Sequence, residues 1–199
     1  LRCLAHYMDD GGEYGRQILE GDVHTANQKS AGLETRDQAK TFIYALLYGA
    51  GNELLGQVSG GNFALGKRLR DNFEKAQPAY KRLREKTMAV SENRGYLQGL
   101  DGRRLRVRSP HSSLNLLLQS CGAILCKKWM QLVDSQLDAD TAYICGWIHD
   151  ELQIVTKKGF EDDVGNITRR MAKETGQFYK FNLPVEAEYH VGDTWATTH

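Results

Sequence analysis

Residues 35–51, TRDQAKTFIYALLYGAG, are the most informative part of the chain, because they carry a complete helix signal together with an unusual polar stripe. The first threonine, followed three residues later by Gln38, makes a capping box. Gly49 suits the left-handed position that follows many helices. The segment therefore predicts a helix from Arg36 to about Tyr48, whose apolar side is formed by Phe42, Ile43, Leu46 and Leu47.

The polar stripe of this predicted helix consists of two cations and two phenols at intervals of four, namely Arg36, Lys40, Tyr44 and Tyr48. Residues four apart lie on one helix face, and a helix N-terminus already attracts anions. Two cations there suit phosphate groups, while the phenols further along suit a sugar and then a base. A nucleoside triphosphate lying along the helix would need this order. The alternative is a mixed surface helix with half-buried tyrosines.

Composition indicates an ordinary soluble globular protein, with 199 residues, 26% charged and 41% hydrophobic content, and a formal net charge of +1. Near-neutral charge does not favour nucleic-acid binding, so any basic surface must be local. Residues 94–111 are the local candidate, since they hold five arginines against one aspartate. No apolar run approaches membrane-spanning length, so we expect no membrane partner.

The remaining pattern predicts the fold class. Before Arg94 the chain is helical with short breaks. A β-hairpin then covers residues 95–108, and a long helix runs to about Leu137, with Ser109 as N-cap and Pro110 at its first position. Two short strands around a turn, an amphipathic helix and a last strand complete the chain, over residues 143–155, 160–179 and 183–195. This order predicts an α+β architecture with two lobes.

Two more polar groups have spacings that suit chemistry. His149, Asp150 and Glu151 occupy the predicted turn between strands, where carboxylates could hold a hard cation such as Mg²⁺, although an ordinary polar turn is the alternative. His111, Asn115 and Gln119 repeat every four residues among leucines. They could read minor-groove acceptors while the nearby arginines hold phosphates, or form an internal hydrogen-bond network.

The order of these motifs resembles that of family A DNA polymerases. R-x-x-x-K-x-x-x-Y-x-x-x-Y-G is similar to their motif B, the fingers helix, and HDE in a hairpin is similar to motif C. GRRLRVRSPHSSLNLLLQSCGA resembles the segment that leads into the palm helix beside the primer–template, and GDVHT resembles a segment between motifs A and B. GLDGR, VRSPH and the closing W-x-x-x-H are most similar to replicative polymerases of short-tailed bacteriophages.

The resemblance implies a right-hand polymerase fold, with residues 1–8 in the palm, 9–95 in helical fingers and 96–199 in a palm with a small antiparallel sheet. The thumb and the proofreading exonuclease would lie outside this chain. Of the family's motif A, D-x-S-x-x-E-x-R, only the end remains as Leu1-Arg2. We therefore expect the second main Mg²⁺ ligand upstream of Leu1, and we expect the isolated segment to be inactive.

The implied activity is template-directed addition of deoxynucleotides to a primer 3′-hydroxyl, with two Mg²⁺ ions, in the cytoplasm of a bacterial host. Primer–template DNA and deoxynucleoside triphosphates would be the partners, and a processivity factor could bind the thumb.

Arg36, Lys40 and His24 would bind the triphosphate, with Lys40 nearest the chemistry. Tyr44 would face the sugar, and Tyr48 would guard the insertion site. Asp150 and, with a weaker claim, Glu151 would hold metal. The implied DNA contacts are Arg103, Arg108, His111, Asn115, Gln119 and His149.

Three other functions compete with this interpretation. A single-subunit RNA polymerase shares the lysine-to-Tyr-Gly spacing, although HDE and Tyr44 favour a DNA polymerase. A non-catalytic DNA-binding remnant would bind primer–template without incorporation, and the presence of both Lys40 and Asp150 argues against it. A metal hydrolase using the HDE turn would need more ligands than the spacing offers.

Overall fold

The computed structural model describes residues 1–198, which divide into two compact units, one covering residues 1–119 and the other beginning at Ser120. In the first unit lie the helices α1 (Arg2–Tyr7), α2 (Glu13–Glu20), α3 (Val23–Ala31), α4 (Arg36–Leu47), α5 (Asn52–Val58), α6 (Phe63–Ala76) and α7 (Pro78–Arg94). The antiparallel hairpin of β1 (Tyr96–Gln98) and β2 (Arg104–Arg106) follows them.

Helix α8 (Ser113–Asp134) begins in the first unit and ends in the second. The second unit also holds β3 (Ala142–Ile148), β4 (Glu151–Thr156) and α9 (Glu161–Phe178). Strands β3 and β4 pair antiparallel, with a register shift between Ile144 and Gly146. The indole N–H of Trp129 donates to the carbonyl of Thr168, which ties α8 to α9 at 2.9 Å. The α+β class predicted from the sequence is confirmed.

The core of the first unit places α4 among its neighbours. Three aromatic rings meet edge to face. The centroid of Phe73 lies 6.1 Å from that of Phe42 and 5.2 Å from that of Tyr80. All three side chains are buried, as are Ile43 and Leu46 on the same side of α4. Burial of this apolar stripe stabilises α4 more than its intrinsic propensity does. The opposite side of the helix is consequently left for the polar stripe.

Both ends of α4 follow the sequence prediction. The Thr35 hydroxyl accepts the Gln38 backbone N–H, and the Gln38 side chain accepts the Thr35 backbone N–H. Gly49 takes the left-handed conformation, with φ of 85°. A Cβ at Gly49 would lie 3.3 Å from the His111 carbonyl oxygen, so a side chain here would be both strained and crowded.

The sequence prediction was wrong at the C-terminal segment. Residues 183–195 form no strand in the part of the chain that the structure describes, and only a short 3₁₀ turn at Trp195–Thr197 follows. Instead, Val185 lies against Gly176 and Tyr189 lies against Gly165, both on α9. The apolar alternation that suggested a strand therefore reflects packing on a helix surface.

Three details of the element boundaries also differ from the prediction. Ser109 makes no side-chain cap, and its carbonyl accepts both the backbone N–H and the hydroxyl of Ser112 in a 3₁₀ turn before α8. Helix α8 ends at Asp134, earlier than expected. Glu151 is the first residue of β4 and pairs with Ile148, so the turn itself is only two residues long.

Within residues 1–198, no helix is long and apolar enough to cross a membrane.

Candidate active site

Asp22 and Arg36 connect the starts of two helices. Asp22 is the N-cap of α3, where its carboxylate accepts the His24 backbone N–H at 3.0 Å and the Thr25 hydroxyl at 2.8 Å. The same carboxylate accepts Arg36 Nε at 2.7 Å and Arg36 Nη2 at 3.3 Å. Hydrogen bonding to the guanidinium holds the pKa of the Asp22 carboxyl well below its usual range.

The sequence interpretation did not assign a role to Asp22. A helix-start signal was available, since an aspartate before VHT is a good N-cap. The long-range pairing with Arg36 had no such signal, because fourteen residues separate the two and only the packing of α3 beside α4 brings them together.

His24 and Tyr44 lie beside this ion pair. Their ring centroids are 6.2 Å apart and the rings are tilted by 52°. Burial lowers the pKa of His24 below its usual value, and the charges of Arg36 and Lys40 lower it further. His24 therefore favours the neutral imidazole at physiological pH. Its buried Nδ1 has no hydrogen-bond partner within residues 1–198.

The stripe on α4 faces solvent as the nucleotide interpretation requires. Arg36 and Lys40 are exposed, and the exposed fractions of Tyr44 and Tyr48 are 39% and 59%. Tyr48 is mainly exposed and so contributes little to a core, whereas Tyr44 is compatible with the alternative of half-buried surface tyrosines. The structure thus brings His24, Arg36 and Tyr44 together on one exposed edge formed by α3 and α4.

A cavity of about 430 Å³, with both polar and apolar lining residues, lies beyond the C-terminal end of α4. Gly49, Arg70, Arg84, His111 and Asn115 are among its lining residues. Three of its buried polar atoms have no hydrogen-bond partner among the described residues, namely Asn52 Oδ1, Arg70 Nε and Ser113 Oγ. Buried polar atoms usually find partners, so this cavity suits water or a polar ligand.

The hairpin after α7 presents the arginines singled out from the sequence. Arg103 pairs with Asp101 at 2.6 Å, and the guanidinium of Arg104 lies 4.9 Å from the centre of the Tyr96 ring. Arg103, Arg104 and Arg108 are all exposed. The buried Leu97, Leu105 and Leu117 form the apolar cluster beneath the hairpin. At the end of the first unit, Gln119 is also exposed.

The turn between β3 and β4 holds His149 and Asp150, and both side chains are exposed. His149 has a φ of 55°, which is uncommon for a residue other than glycine. The indole N–H of Trp147 donates to the His149 carbonyl at 2.8 Å. The Glu151 carboxylate accepts the side-chain amide of Gln153. The sequence interpretation did not include Trp147.

Carboxylates on this turn have the oxygen chemistry that Mg²⁺ prefers. Within the described residues no group of three or more His, Cys, Asp or Glu side chains could hold an ion. Asp150 and Glu151 therefore stay predicted metal ligands.

Comparison with known proteins decides the family. A sequence model described as DNA polymerase family A matches residues 1–197. The chain belongs to DNA polymerase family A. The DNA-directed DNA polymerases of Enterobacteria phage T3 and Escherichia phage T7 are each 41% identical to it over its whole length. The thermostable DNA polymerase I of Thermus aquaticus is 26% identical over 98% of it. The similarity to phage polymerases predicted from the sequence is confirmed.

The family A chain spans about a third of the phage relatives, since the match covers 32% of each of them. The POL domain of Pol1 from M. smegmatis, solved in complex with DNA primer-template and dNTP, has a similar fold, with a TM-score of 0.80. That match covers 93% of this chain and 36% of the other, at 21% identity. It confirms the polymerase fold. Family A DNA polymerases generally use Mg²⁺. The fingers and palm boundaries and the individual site residues stay predictions.

Proposed function

We propose that the protein carrying this chain synthesises DNA on a template, adding deoxynucleotides to a primer 3′-hydroxyl and releasing pyrophosphate. The observation that carries this proposal is the convergence of His24, Arg36 and Tyr44 on one exposed edge, on a chain of the DNA polymerase family. Family membership removes the RNA polymerase and metal hydrolase alternatives. Activity, substrates and partners are proposed here for the whole protein.

The triphosphate would lie at the start of α4. Arg36 uses Nε and one Nη2 hydrogen for Asp22, so its Nη1 hydrogens and its other Nη2 hydrogen remain for phosphate oxygens. Neutral His24 would add a hydrogen bond to a phosphate oxygen. Lys40, one turn further on, would bind the same group and give a proton to the leaving pyrophosphate. Tyr44 would contact the sugar, and Tyr48 would stack beside the new base pair.

Asp150 would hold Mg²⁺, together with a further carboxylate of the whole protein. Glu151 has the weaker claim, because its carboxylate already accepts the Gln153 amide. Bound Mg²⁺ would stabilise negative charge on the phosphates and favour ionisation of the primer hydroxyl.

Primer–template DNA would be held by the hairpin and by the start of α8. The exposed guanidinium groups of Arg103 and Arg108 would contact phosphates, which fixes position without reading sequence. Asn115 and Gln119, with His111 and His149, would read the minor groove or the primer terminus. A processivity factor would bind outside these residues, and the host cytoplasm would be the site of action.

Primer extension tests the proposal. The full natural chain that carries these residues should extend a labelled primer with the nucleotide complementary to the template base, and not with the other three. A matched reaction without template measures untemplated addition. Salt-dependent binding of primer–template without any incorporation would overturn the proposal and support a non-catalytic DNA-binding protein.

A further inference from the structure

The turn that presents Asp150 is held in an uncommon conformation. Only His149 and Asp150 separate the last ladder pair, Ile148 and Glu151, so the backbone must reverse within two residues. His149 adopts a positive φ of 55° to do so. For a side chain with a Cβ, this conformation is unfavourable unless the surroundings support it.

Trp147 supplies that support. Its indole N–H donates to the His149 carbonyl oxygen at 2.8 Å, which is a normal hydrogen-bond length. Trp147 itself is fixed by the ladder, where it pairs with Leu152. The ammonium group of Lys127, on α8, lies 6.0 Å from the centre of its ring, within the range of a cation–π contact. The ladder therefore fixes the backbone of Trp147, Lys127 contacts one face of its ring, and its N–H is directed at the turn.

We propose that Trp147 is a positioning residue for the metal-binding carboxylate of Asp150, an inference that rests on the proposed function. The carbonyl of His149 and the backbone N–H of Asp150 belong to one planar peptide group. A hydrogen bond that fixes this carbonyl also fixes the plane from which the Asp150 side chain departs. Asp150 would then present its carboxylate in one direction before a metal ion arrives, which avoids the cost of ordering it on binding.

The test uses the full natural chain with Trp147→Phe, which keeps an aromatic ring and removes the donor. Tyr143→Phe is the matched control, because Tyr143 lies on the same strand, is 57% exposed and pairs with Val155, away from the turn. A second variant, Trp147→benzothienylalanine, keeps the fused ring system without the N–H. It separates the hydrogen bond from packing if the phenylalanine variant folds poorly.

Two measurements decide the outcome. Hydrogen exchange of the peptide that contains His149 and Asp150, followed without metal, should become faster in both Trp147 variants and stay unchanged in Tyr143→Phe. The Mg²⁺ concentration that gives half-maximal incorporation should rise, and kcat should fall roughly tenfold or more, because a small displacement of a catalytic group is costly. KM for the nucleotide should change little.

Unchanged exchange at the turn in both Trp147 variants would overturn the proposal, as would an unchanged Mg²⁺ dependence. Hydrogen exchange needs no activity, so a failure of this inference is distinguishable from a failure of the proposed function. An inactive wild-type protein in which the Trp147 variants still loosen the turn would overturn only the catalytic part of the account. Faster exchange combined with changed KM and unchanged Mg²⁺ dependence would assign Trp147 to substrate binding instead.

Discussion

Asp22 and Arg36 form a two-point ion pair that joins the N-cap of α3 to the first residue of α4. Both side chains are about half exposed, so solvent screens the pair and its contribution to overall stability is small. The main effect of the ion pair is on the orientation of the Arg36 guanidinium. One edge of the guanidinium is fixed, and the other edge is left facing outward beside His24, where the proposed triphosphate would lie.

Asp22→Asn should raise KM for deoxynucleotides several-fold while leaving kcat nearly unchanged. The amide keeps the helix cap but loses the charged acceptor, so Arg36 would be less well ordered. Asp37→Asn is the matched control, because it removes the same charge from an exposed position in the first turn of α4. Steady-state kinetics measure both variants. Equal changes in KM for the two would show that net charge, and not the position of Arg36, determines nucleotide binding.

Lys40→Met should lower the rate of incorporation by roughly 10²- to 10⁴-fold, the usual range for loss of a general acid. The methionine keeps an unbranched side chain that is one atom shorter and removes the ammonium group that would give the proton. Lys75→Met, near the end of α6, is the control for loss of an exposed lysine. Single-turnover incorporation at saturating nucleotide measures the effect. A loss smaller than tenfold would exclude a proton-transfer role for Lys40 and leave it as a phosphate contact.

Tyr44→Phe should increase discrimination against dideoxynucleotides. A phenol beside the sugar can replace the hydroxyl that a dideoxynucleotide lacks, so we predict that the natural protein discriminates weakly. Competition between the two nucleotide types in primer extension gives the selectivity ratio. Tyr48→Phe removes a phenol from the same stripe at the base end and should leave that ratio unchanged. If Tyr44→Phe also leaves it unchanged, the assignment of Tyr44 to the sugar is wrong.

Stability should decrease as the pH falls from about 7.5 to about 5.5. Burial lowers the pKa of His6, and burial together with cationic neighbours lowers that of His24. The unfolded chain therefore takes up protons near pH 6.5 while the folded chain resists them, so the stabilisation present above that pH is lost as pH decreases. Thermal unfolding midpoints measure the slope.

The matched variants are His6→Gln and His24→Gln, each of which should flatten this pH dependence. His190→Gln, at an exposed position of the second unit, should leave it unchanged. A slope that is the same in all three variants and in the natural chain would mean that other groups control stability in this range.

Periodicity and capping predicted α4 well, because both signals are local. The capping box at Thr35 and the left-handed Gly49 depend only on residues within one turn. The hairpin of β1 and β2 was predicted for the same reason. The final strand was predicted wrongly. A segment with alternating apolar residues can pack its apolar side against a helix as well as join a sheet. In the structure the segment packs on α9, where Tyr189 lies against Gly165 and Val185 against Gly176.

The candidate site shows the same difference between residues with local sequence signals and residues whose contacts depend on the folded structure. Arg36, Lys40, Tyr44 and Tyr48 could be proposed from the sequence because one helix orders them. Asp22 and Trp147 were not proposed from the sequence. Tertiary packing brings Arg36 to Asp22, and the positive φ of His149 brings its carbonyl to Trp147. Sequence spacing contains no direct signal for either contact.

The most direct measurement of the central claim is single-turnover incorporation of one correct nucleotide by the full natural chain, compared with Asp150→Asn. The variant keeps the size of the side chain and removes the charge that would hold Mg²⁺. We predict that the natural chain incorporates the nucleotide only with Mg²⁺, and that the variant loses incorporation by several orders of magnitude while binding primer–template as tightly. Equal incorporation by the two proteins would contradict the account, because it would remove Asp150 from the chemistry.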